Sequence, residues 1–276
     1  MIVVRADSLG LCTGVRRALR MAERALAENP GAPLYSLGPL IHNSRVVEEL
    51  RARGLTPVDD ISQVTAGIVI IRAHGIGPEQ RRACGKPDVR CIDATCPKVL
   101  RIQEMVRHYD EEGYLVIIAG DPQHGEVRGI RGFARRSFVV ASRAEAETVA
   151  LGGPAVVVSQ TTLPRAQYAG ICEVLKGRDP GVLIQDTSCV ATETRQESLL
   201  RLVARVDAIV VIGGRESANT RWLHQAALAT GRPAWHVEGA ADLPPEIRRF
   251  DRVGISAGAS TPDRIIDEVE KALRGR

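Results

Sequence analysis

Three cysteines recur at nearly equal intervals along the chain, each where a strand-like segment gives way to a helix-like one. Cys12, Cys96 and Cys189 are separated by 84 and 93 residues, and 87 residues follow the last of them. Apolar residues typical of a β-strand precede each cysteine, and a helical spacing of apolar residues follows it. This spacing predicts a threefold pseudo-repeat in which each unit contributes one thiol from an equivalent position.

A thiol at the start of a helix is suited to bind metal. The free amide groups and the helix dipole favour the thiolate, which is the form that binds metal. Three converging thiolates could hold zinc or an iron–sulfur cluster. Zinc sites usually contain two cysteines that are close in sequence. Cys91 and Cys96 are close, but Cys91 lies in a predicted strand, so we do not expect the two to form such a pair. A cluster held by three thiols would leave one iron open for a substrate.

The remaining cysteines, Cys84, Cys91 and Cys172, lie inside helix or strand patterns. We expect them to be small apolar side chains rather than ligands.

Strand, loop and helix alternate along the whole chain. The pattern predicts twelve strands and nine helices, with no helix between residues 113 and 142. Apolar runs of four or five residues, such as 67–71 and 208–212, indicate strands covered on both faces, as in parallel sheets. The predicted fold is therefore α/β. We expect three small domains, formed by residues 14–96, 97–190 and 191–276, with the N-terminal strand in 1–13 joining the third.

Composition narrows the possible partners. The net charge is only +4 and aromatic residues make up 3% of the chain, so stacking platforms for nucleic acid are scarce. No apolar run approaches the ~18 residues of a membrane-spanning helix, and the start of the chain lacks the features of a signal peptide. We therefore expect a cytoplasmic protein without disulfides that binds neither nucleic acid nor membrane.

Loops after six predicted strands combine glycine with side chains that donate hydrogen bonds. They are residues 38–43, 72–75, 120–126, 159–162, 213–220 and 256–262. Ligands of parallel α/β sheets bind beyond the carboxyl ends of the strands, and such donors suit a phosphate or diphosphate. Thr261 and Pro262 predict a helix start, with Thr261 as N-cap. Asp93 and Asp186 are predicted to cap turns.

Nine motifs, in this order, resemble those of the 4-hydroxy-3-methylbut-2-enyl diphosphate reductase family. They are Cys12-Thr-Gly-Val-Arg-Arg-Ala, Gly-Pro-Leu-Ile-His42-Asn, Ala-His74-Gly-Ile, Asp-Ala-Thr-Cys96-Pro, His124-Gly-Glu126-Val, Ser-Gln-Thr161-Thr, Asp-Thr-Ser-Cys189, Ser217-Ala-Asn219 and Ser-Ala-Gly-Ala-Ser260. The resemblance spans nearly the whole chain. It implies a pseudo-threefold trefoil of α/β domains around one [4Fe–4S] cluster, with Cys12, Cys96 and Cys189 as ligands and an open fourth iron.

The resemblance also implies an activity and a set of site residues. The reaction is reductive removal of the allylic hydroxyl of 4-hydroxy-3-methylbut-2-enyl diphosphate, the last step of the methylerythritol phosphate route, and a ferredoxin or flavodoxin supplies electrons. By this resemblance, Glu126 and Thr161 deliver the proton to the departing hydroxyl, and His124 is a third catalytic residue. Substrate binding falls to His42, His74, His124, Thr161, Ser217, Ala218, Asn219 and Ser260. Many members have proline at position 125, and Gly125 is expected to loosen this loop.

Two other interpretations stay open at this stage. One is another enzyme with a three-cysteine cluster, such as a lyase or condensing enzyme similar to quinolinate synthase, which would need no electron donor. The other is a non-catalytic phosphate-binding or nucleic-acid-binding protein with structural zinc, which would be colourless.

Overall fold

The computed structural model describes residues 1–275, in which twelve β-strands and ten α-helices alternate. The strands are β1 (Ile2–Arg5), β2 (Leu34–Leu37), β3 (Leu55–Val58), β4 (Gly67–Ile71), β5 (Val89–Asp93), β6 (Leu115–Ala119), β7 (Ser137–Val140), β8 (Ala155–Ser159), β9 (Leu183–Ile184), β10 (Ala208–Ile212), β11 (Ala234–Val237) and β12 (Arg252–Ala257). The helices are α1 (Thr13–Glu28), α2 (Ser44–Ala52), α3 (Pro78–Ala83), α4 (Pro97–Glu111), α5 (Gly125–Arg131), α6 (Arg143–Thr148), α7 (Arg165–Arg178), α8 (Val190–Val203), α9 (Ala218–Leu228) and α10 (Asp263–Arg274).

The strands form three four-stranded parallel sheets. Their orders are β1-β12-β10-β11, β3-β2-β4-β5 and β7-β6-β8-β9. In the first of these, β1 pairs in parallel with β12, so that Val3 lies opposite Val253. The predicted α/β class with three parallel sheets is confirmed.

The chain divides into two compact units, here called unit 1 and unit 2. Unit 1 consists of Met1–Arg16, Ile41–Leu50 and the chain from Val190 to the last described residue, and it contains the sheet β1-β12-β10-β11. Unit 2 consists of Arg17–Leu40 and Arg51–Cys189, and it contains the other two sheets. The three domains at 14–96, 97–190 and 191–276 stay a prediction.

The sheet β7-β6-β8-β9 shows why the strand sequences are continuously apolar. Val116 and Ile118 of β6 pack with side chains of α4 and α5. Ile117, which lies between them, packs on the opposite face with side chains of α6 and α7. Helices cover both faces, so every residue of β6 is buried.

Helix α5 was not predicted, and it begins directly before Glu126. Its sequence Gly-Glu-Val-Arg-Gly-Ile-Arg contains two glycines, which have poor helix propensity, and its core-facing residues Val127 and Ile130 are too few to show a period. The helix forms because these two side chains are fully buried against β6 and α4. Tertiary packing overrides local propensity here.

Two predicted boundaries were also wrong. Pro262, rather than Thr261, is the N-cap of α10, because the Thr261 hydroxyl donates instead to the carbonyl oxygen of Ile212, 3.0 Å away. Helix α8 was predicted to begin at residue 193, but it begins at Val190, directly after Cys189.

Among residues 1–275, no helix combines the length and the apolar character that crossing a membrane requires.

Candidate active site

In unit 2, helix α5 buries an acidic side chain that faces the end of β8. Glu126 is only 2% exposed. Its carboxylate accepts hydrogen bonds from the backbone N–H of Thr161 at 2.6 Å and from the Thr161 hydroxyl at 2.7 Å. The expectation that Glu126 lies in a loop was wrong, because it is the second residue of α5.

Burial sets the protonation of this carboxyl group. Loss of water disfavours the ionised form, and this effect outweighs the two Thr161 hydrogen bonds that favour it, so burial raises the pKa of Glu126 to about 7. A carboxylic acid with such a pKa still carries a proton in a large fraction of molecules at neutral pH. It can therefore act as a general acid.

Two histidines lie beside this acid. His124 is the N-cap of α5, and its Nδ1 accepts the backbone N–H of Glu126 at 3.3 Å. The rings of His74 and His124 meet edge to face, with centroids 5.2 Å apart. Thus unit 2 brings His74, His124, Glu126 and Thr161 together, as the sequence predicted for residues beyond the carboxyl ends of β4, β6 and β8.

A glycine turn sets the position of His74. Gly75 has φ +70°, and an added Cβ would come within 2.7 Å of Nε2 of Gln103 and 2.9 Å of the Thr95 methyl group. Only glycine fits here without displacing these side chains. The backbone N–H of Cys96 donates to the carbonyl oxygen of Ala73 at 2.9 Å. This hydrogen bond links the second thiol to the turn that carries His74.

The three proposed thiol ligands share local surroundings. Each is half-buried and immediately precedes a helix, as Cys12 does for α1, Cys96 for α4 and Cys189 for α8. The Sγ atom of Cys12 accepts the N–H of Val15 at 3.4 Å. Helix amides that donate to sulfur favour the thiolate, so these positions suit metal ligation.

The other sulfurs and the two capping aspartates behave as predicted. Cys84 and Cys172 are buried, and Cys91 lies half-buried on β5. Burial raises the pKa of the Cys91 thiol to about 12, with a further contribution from neighbouring Cys84, so it stays protonated. Asp93 accepts the N–H of Thr95, and Asp186 accepts that of Ser188.

In unit 1, polar groups at the ends of β10 and β12 lie near the backbone of His42. The Ser260 hydroxyl donates to the His42 carbonyl oxygen at 2.9 Å, and a Cβ added at Gly214 would lie 2.5 Å from that same oxygen. Ser217 is the N-cap of α9 and accepts the N–H of Thr220, so Ala218 and Asn219 form the first turn.

Asn219 has an unusual environment. It is 3% exposed, and neither its Oδ1 nor its Nδ2 has a hydrogen-bond partner among the described residues. Leaving buried amide groups unsatisfied costs about 1–3 kcal/mol. A ligand oxygen that accepts a hydrogen bond from Nδ2 would remove part of this cost, which makes Asn219 a strong binding candidate.

Two arginines were missed in the sequence. Arg195 of α8 is buried and donates to the carbonyl oxygen of Gly10, with Nη2 at 2.6 Å and Nε at 3.2 Å, two residues before Cys12. Arg72, at the end of β4, lies over Gly125, and a side chain at position 125 would overlap its guanidinium. Gly125 is thus a tightly packed helix residue and does not loosen a loop. Arginines in a chain rich in arginine give no sequence signal of burial.

The chain matches known proteins along nearly all of its length. A family model described as LytB protein matches residues 3–274. A 4-hydroxy-3-methylbut-2-enyl diphosphate reductase from Treponema denticola is 39% identical, over 99% of both chains. The reductase of the same name from Aquifex aeolicus is 37% identical, over 99% of this chain and 96% of its own.

Solved structures agree with these matches. The structure of the E-1-hydroxy-2-methyl-but-2-enyl-4-diphosphate reductase from Plasmodium falciparum superposes with a TM-score of 0.92 at 28% identity, covering 99% of this chain and 87% of that one. A structure of (E)-4-hydroxy-3-methyl-but-2-enyl diphosphate reductase, the terminal enzyme of the non-mevalonate pathway, gives a TM-score of 0.74 at 36% identity and covers both chains fully.

Proposed function

The chain belongs to the LytB protein family, and we propose which of its residues bind and protonate the substrate in this family's reaction. It is an oxidoreductase that converts 4-hydroxy-3-methylbut-2-enyl diphosphate into isopentenyl and dimethylallyl diphosphates, the last step of the methylerythritol phosphate route. Each turnover consumes two electrons and two protons, and the allylic hydroxyl leaves as water. A lyase similar to quinolinate synthase is not favoured.

The family is one of iron–sulfur enzymes, and the thiols of this chain fit such a group. We propose that Cys12, Cys96 and Cys189 hold one [4Fe–4S] cluster with an open fourth iron. Support comes from their shared position at helix starts and from the hydrogen bond that the Cys12 sulfur accepts. When bound, the cluster supplies the electrons and a Lewis-acidic iron.

Two groups of side chains are proposed to bind the diphosphate. In unit 2 they are His74, His124 and Thr161, and in unit 1 they are His42, Ser217, Asn219, Ser260 and the backbone of Ala218. Imidazole N–H groups, hydroxyls and amide N–H groups donate to phosphate oxygens without adding negative charge. The buried, unsatisfied amide of Asn219 supports this assignment most directly.

The observation that carries the mechanism is the buried carboxyl group of Glu126, whose two oxygens accept hydrogen bonds from Thr161. Its pKa of about 7 keeps a proton available at neutral pH. We propose that Glu126 donates this proton to the departing hydroxyl oxygen. Thr161 orients the carboxyl group through its N–H and hydroxyl. His124 orients the first turn of α5 by accepting the Glu126 N–H.

Glu126→Gln tests this assignment. Glutamine keeps the shape of the side chain and can still bond to Thr161, but it cannot deliver a proton. We expect normal iron content and turnover lowered by at least the ~10²-fold that is typical of losing a general acid. Thr161→Val is the matched variant, because it keeps the acid and removes one hydrogen bond. Its turnover should therefore fall less than that of Glu126→Gln. Turnover of Glu126→Gln at close to the wild-type rate would remove Glu126 from this role.

The electron donor and the location are also proposals. The two electrons of each turnover must come from a separate donor, and we propose a ferredoxin or flavodoxin as this partner. The use of thiols as ligands rather than in disulfides suits a reducing compartment, and we propose the cytoplasm.

A further inference from the structure

A cleft of about 720 Å³ opens within unit 2, beside the 59–62 turn and helices α3 and α5. Glycine backbone at positions 75, 77, 125, 129 and 132 lines it. Four cations also line it, Arg72, Arg82, Lys86 and Arg128, together with the carboxylates of Asp59, Asp60 and Glu79. No histidine, cysteine or acid assigned above to the reaction lines this cleft.

Arg72 is a half-buried cation of the cleft. Its guanidinium lies in a slot between two glycines: a Cβ at Gly38 would be 2.5 Å from Nη1, and one at Gly125 would overlap Nη2. Its Nε is buried and has no hydrogen-bond partner among the described residues. Burial lowers the pKa of Arg72, and the like charge of Arg128 lowers it further, while Asp59 opposes this only in part.

Two other charged groups of the cleft, Asp60 and Lys86, already have hydrogen-bond partners. The Asp60 carboxylate accepts the N–H of Ser62 at 2.7 Å. Lys86 donates to the carbonyl oxygens of Val64 at 3.2 Å and Ile61 at 3.4 Å. Within residues 1–275, by contrast, neither Arg72 nor Arg128 forms an ion pair. A desolvated cation beside a second cation is costly unless an anion compensates both.

We propose that this cleft binds a small oxyanion of the phosphate class. The guanidinium groups of Arg72 and Arg128 donate to its oxygens, since the planar arginine fork matches phosphate geometry. The glycine backbone leaves room for the anion to approach. None of the side chains proposed to bind the diphosphate lines the cleft, although Gly75 and Gly125 in its wall are the neighbours of His74 and His124. Phosphate binding in the cleft does not require reductase activity.

Calorimetric titration with inorganic phosphate tests the site, using the intact holoprotein in a His74→Ala background that weakens the proposed diphosphate site. We expect one saturable site, with at least tenfold weaker binding after Arg72→Met or Arg128→Gln. Arg131→Gln, an exposed cation of the same helix outside the cleft, should bind like the parent. Acetate, a carboxylate, should bind more weakly than phosphate.

Several results would overturn the proposal. One is the absence of saturable phosphate binding. The second is an affinity of the Arg72→Met or Arg128→Gln variant that equals that of the parent. The third is a loss of affinity in Arg131→Gln as large as that in Arg128→Gln. Arg128 is exposed, so its variant decides the question even where Arg72→Met fails to fold.

Discussion

Glu126 is the residue whose surroundings and proposed chemistry are most closely linked. Burial raises its pKa, whereas the two Thr161 hydrogen bonds lower it, and burial has the larger effect. A glutamate on the surface beside Arg128 would have an ordinary pKa and no proton to give at neutral pH. The unpredicted helix α5 is what places this carboxyl group in the interior.

The pH dependence of the reaction follows from this shift. The acid is active when protonated, so it is fully available well below pH 7 and is lost as the pH rises through about 7. We expect kcat/KM to fall with increasing pH across that range in the wild type. A Glu126→Gln variant should lack this fall. A wild-type profile that rises through pH 7 would contradict the role.

The unsatisfied amide of Asn219 is expected to lower the stability of the fold and to strengthen substrate binding. Asn219→Leu replaces an unsatisfied buried amide by an apolar group of similar shape, so the melting temperature should stay equal or rise. Substrate binding should weaken by about 1–3 kcal/mol, because the hydrogen bonds to phosphate are lost. Titration with substrate, beside the melting curve, measures both effects. A lower melting temperature with unchanged affinity would make Asn219 a structural residue.

At the scale of elements, the three junctions that carry cysteines are proposed to be equivalent. Cys12→Ser, Cys96→Ser and Cys189→Ser should each lose iron and sulfide, since each removes one ligand from a helix start. Cys84→Ser, Cys91→Ser and Cys172→Ser are the controls and should keep both. Iron and sulfide analysis of protein purified without air measures this. Full cluster content in any of the first three variants would refute the ligand set.

Arg195 is expected to position the first of these junctions. Its hydrogen bonds hold the Gly10 carbonyl, and Gly10 itself has φ +79°. Arg195→Met should loosen this turn, lower the iron content and speed the loss of iron to a chelator. Arg201→Met is the matched control on α8, because Arg201 pairs with Asp7 at the surface. Equal iron retention in both variants would show that Arg195 has no such role.

The sequence predicts the elements whose pattern is regular, and it fails where tertiary contacts decide. The run Ile68–Ile71 identifies a buried strand, because both faces of β4 need apolar side chains. Helix α5 has no such signal, since Gly125 is required by its contact with Arg72 and both of its glycines have poor helix propensity. The contacts of Arg72 with Gly125 and of Arg195 with Gly10 likewise depend on segments far away in the sequence.

At the scale of the whole molecule, each unit groups some of the residues that were predicted from the sequence. Unit 2 assembles His74, His124, Glu126 and Thr161, and unit 1 assembles the polar groups around the His42 backbone. The rule that ligands bind beyond the carboxyl ends of parallel strands pointed to the loops that contain these residues. The resemblance to the reductase family then singled out the individual residues. No local rule fixes the burial of the Asn219 amide or the pKa of Glu126, which arise from the packed fold.

Anaerobic turnover tests the central claim most directly. Holoprotein purified without air is mixed with 4-hydroxy-3-methylbut-2-enyl diphosphate, dithionite and a viologen dye, and products and oxidised dye are measured. We predict that isopentenyl and dimethylallyl diphosphates form with two electrons consumed per substrate, and that nothing forms without reductant. Protein with a full complement of iron that leaves the substrate unchanged, or converts it without consuming electrons, would contradict this account.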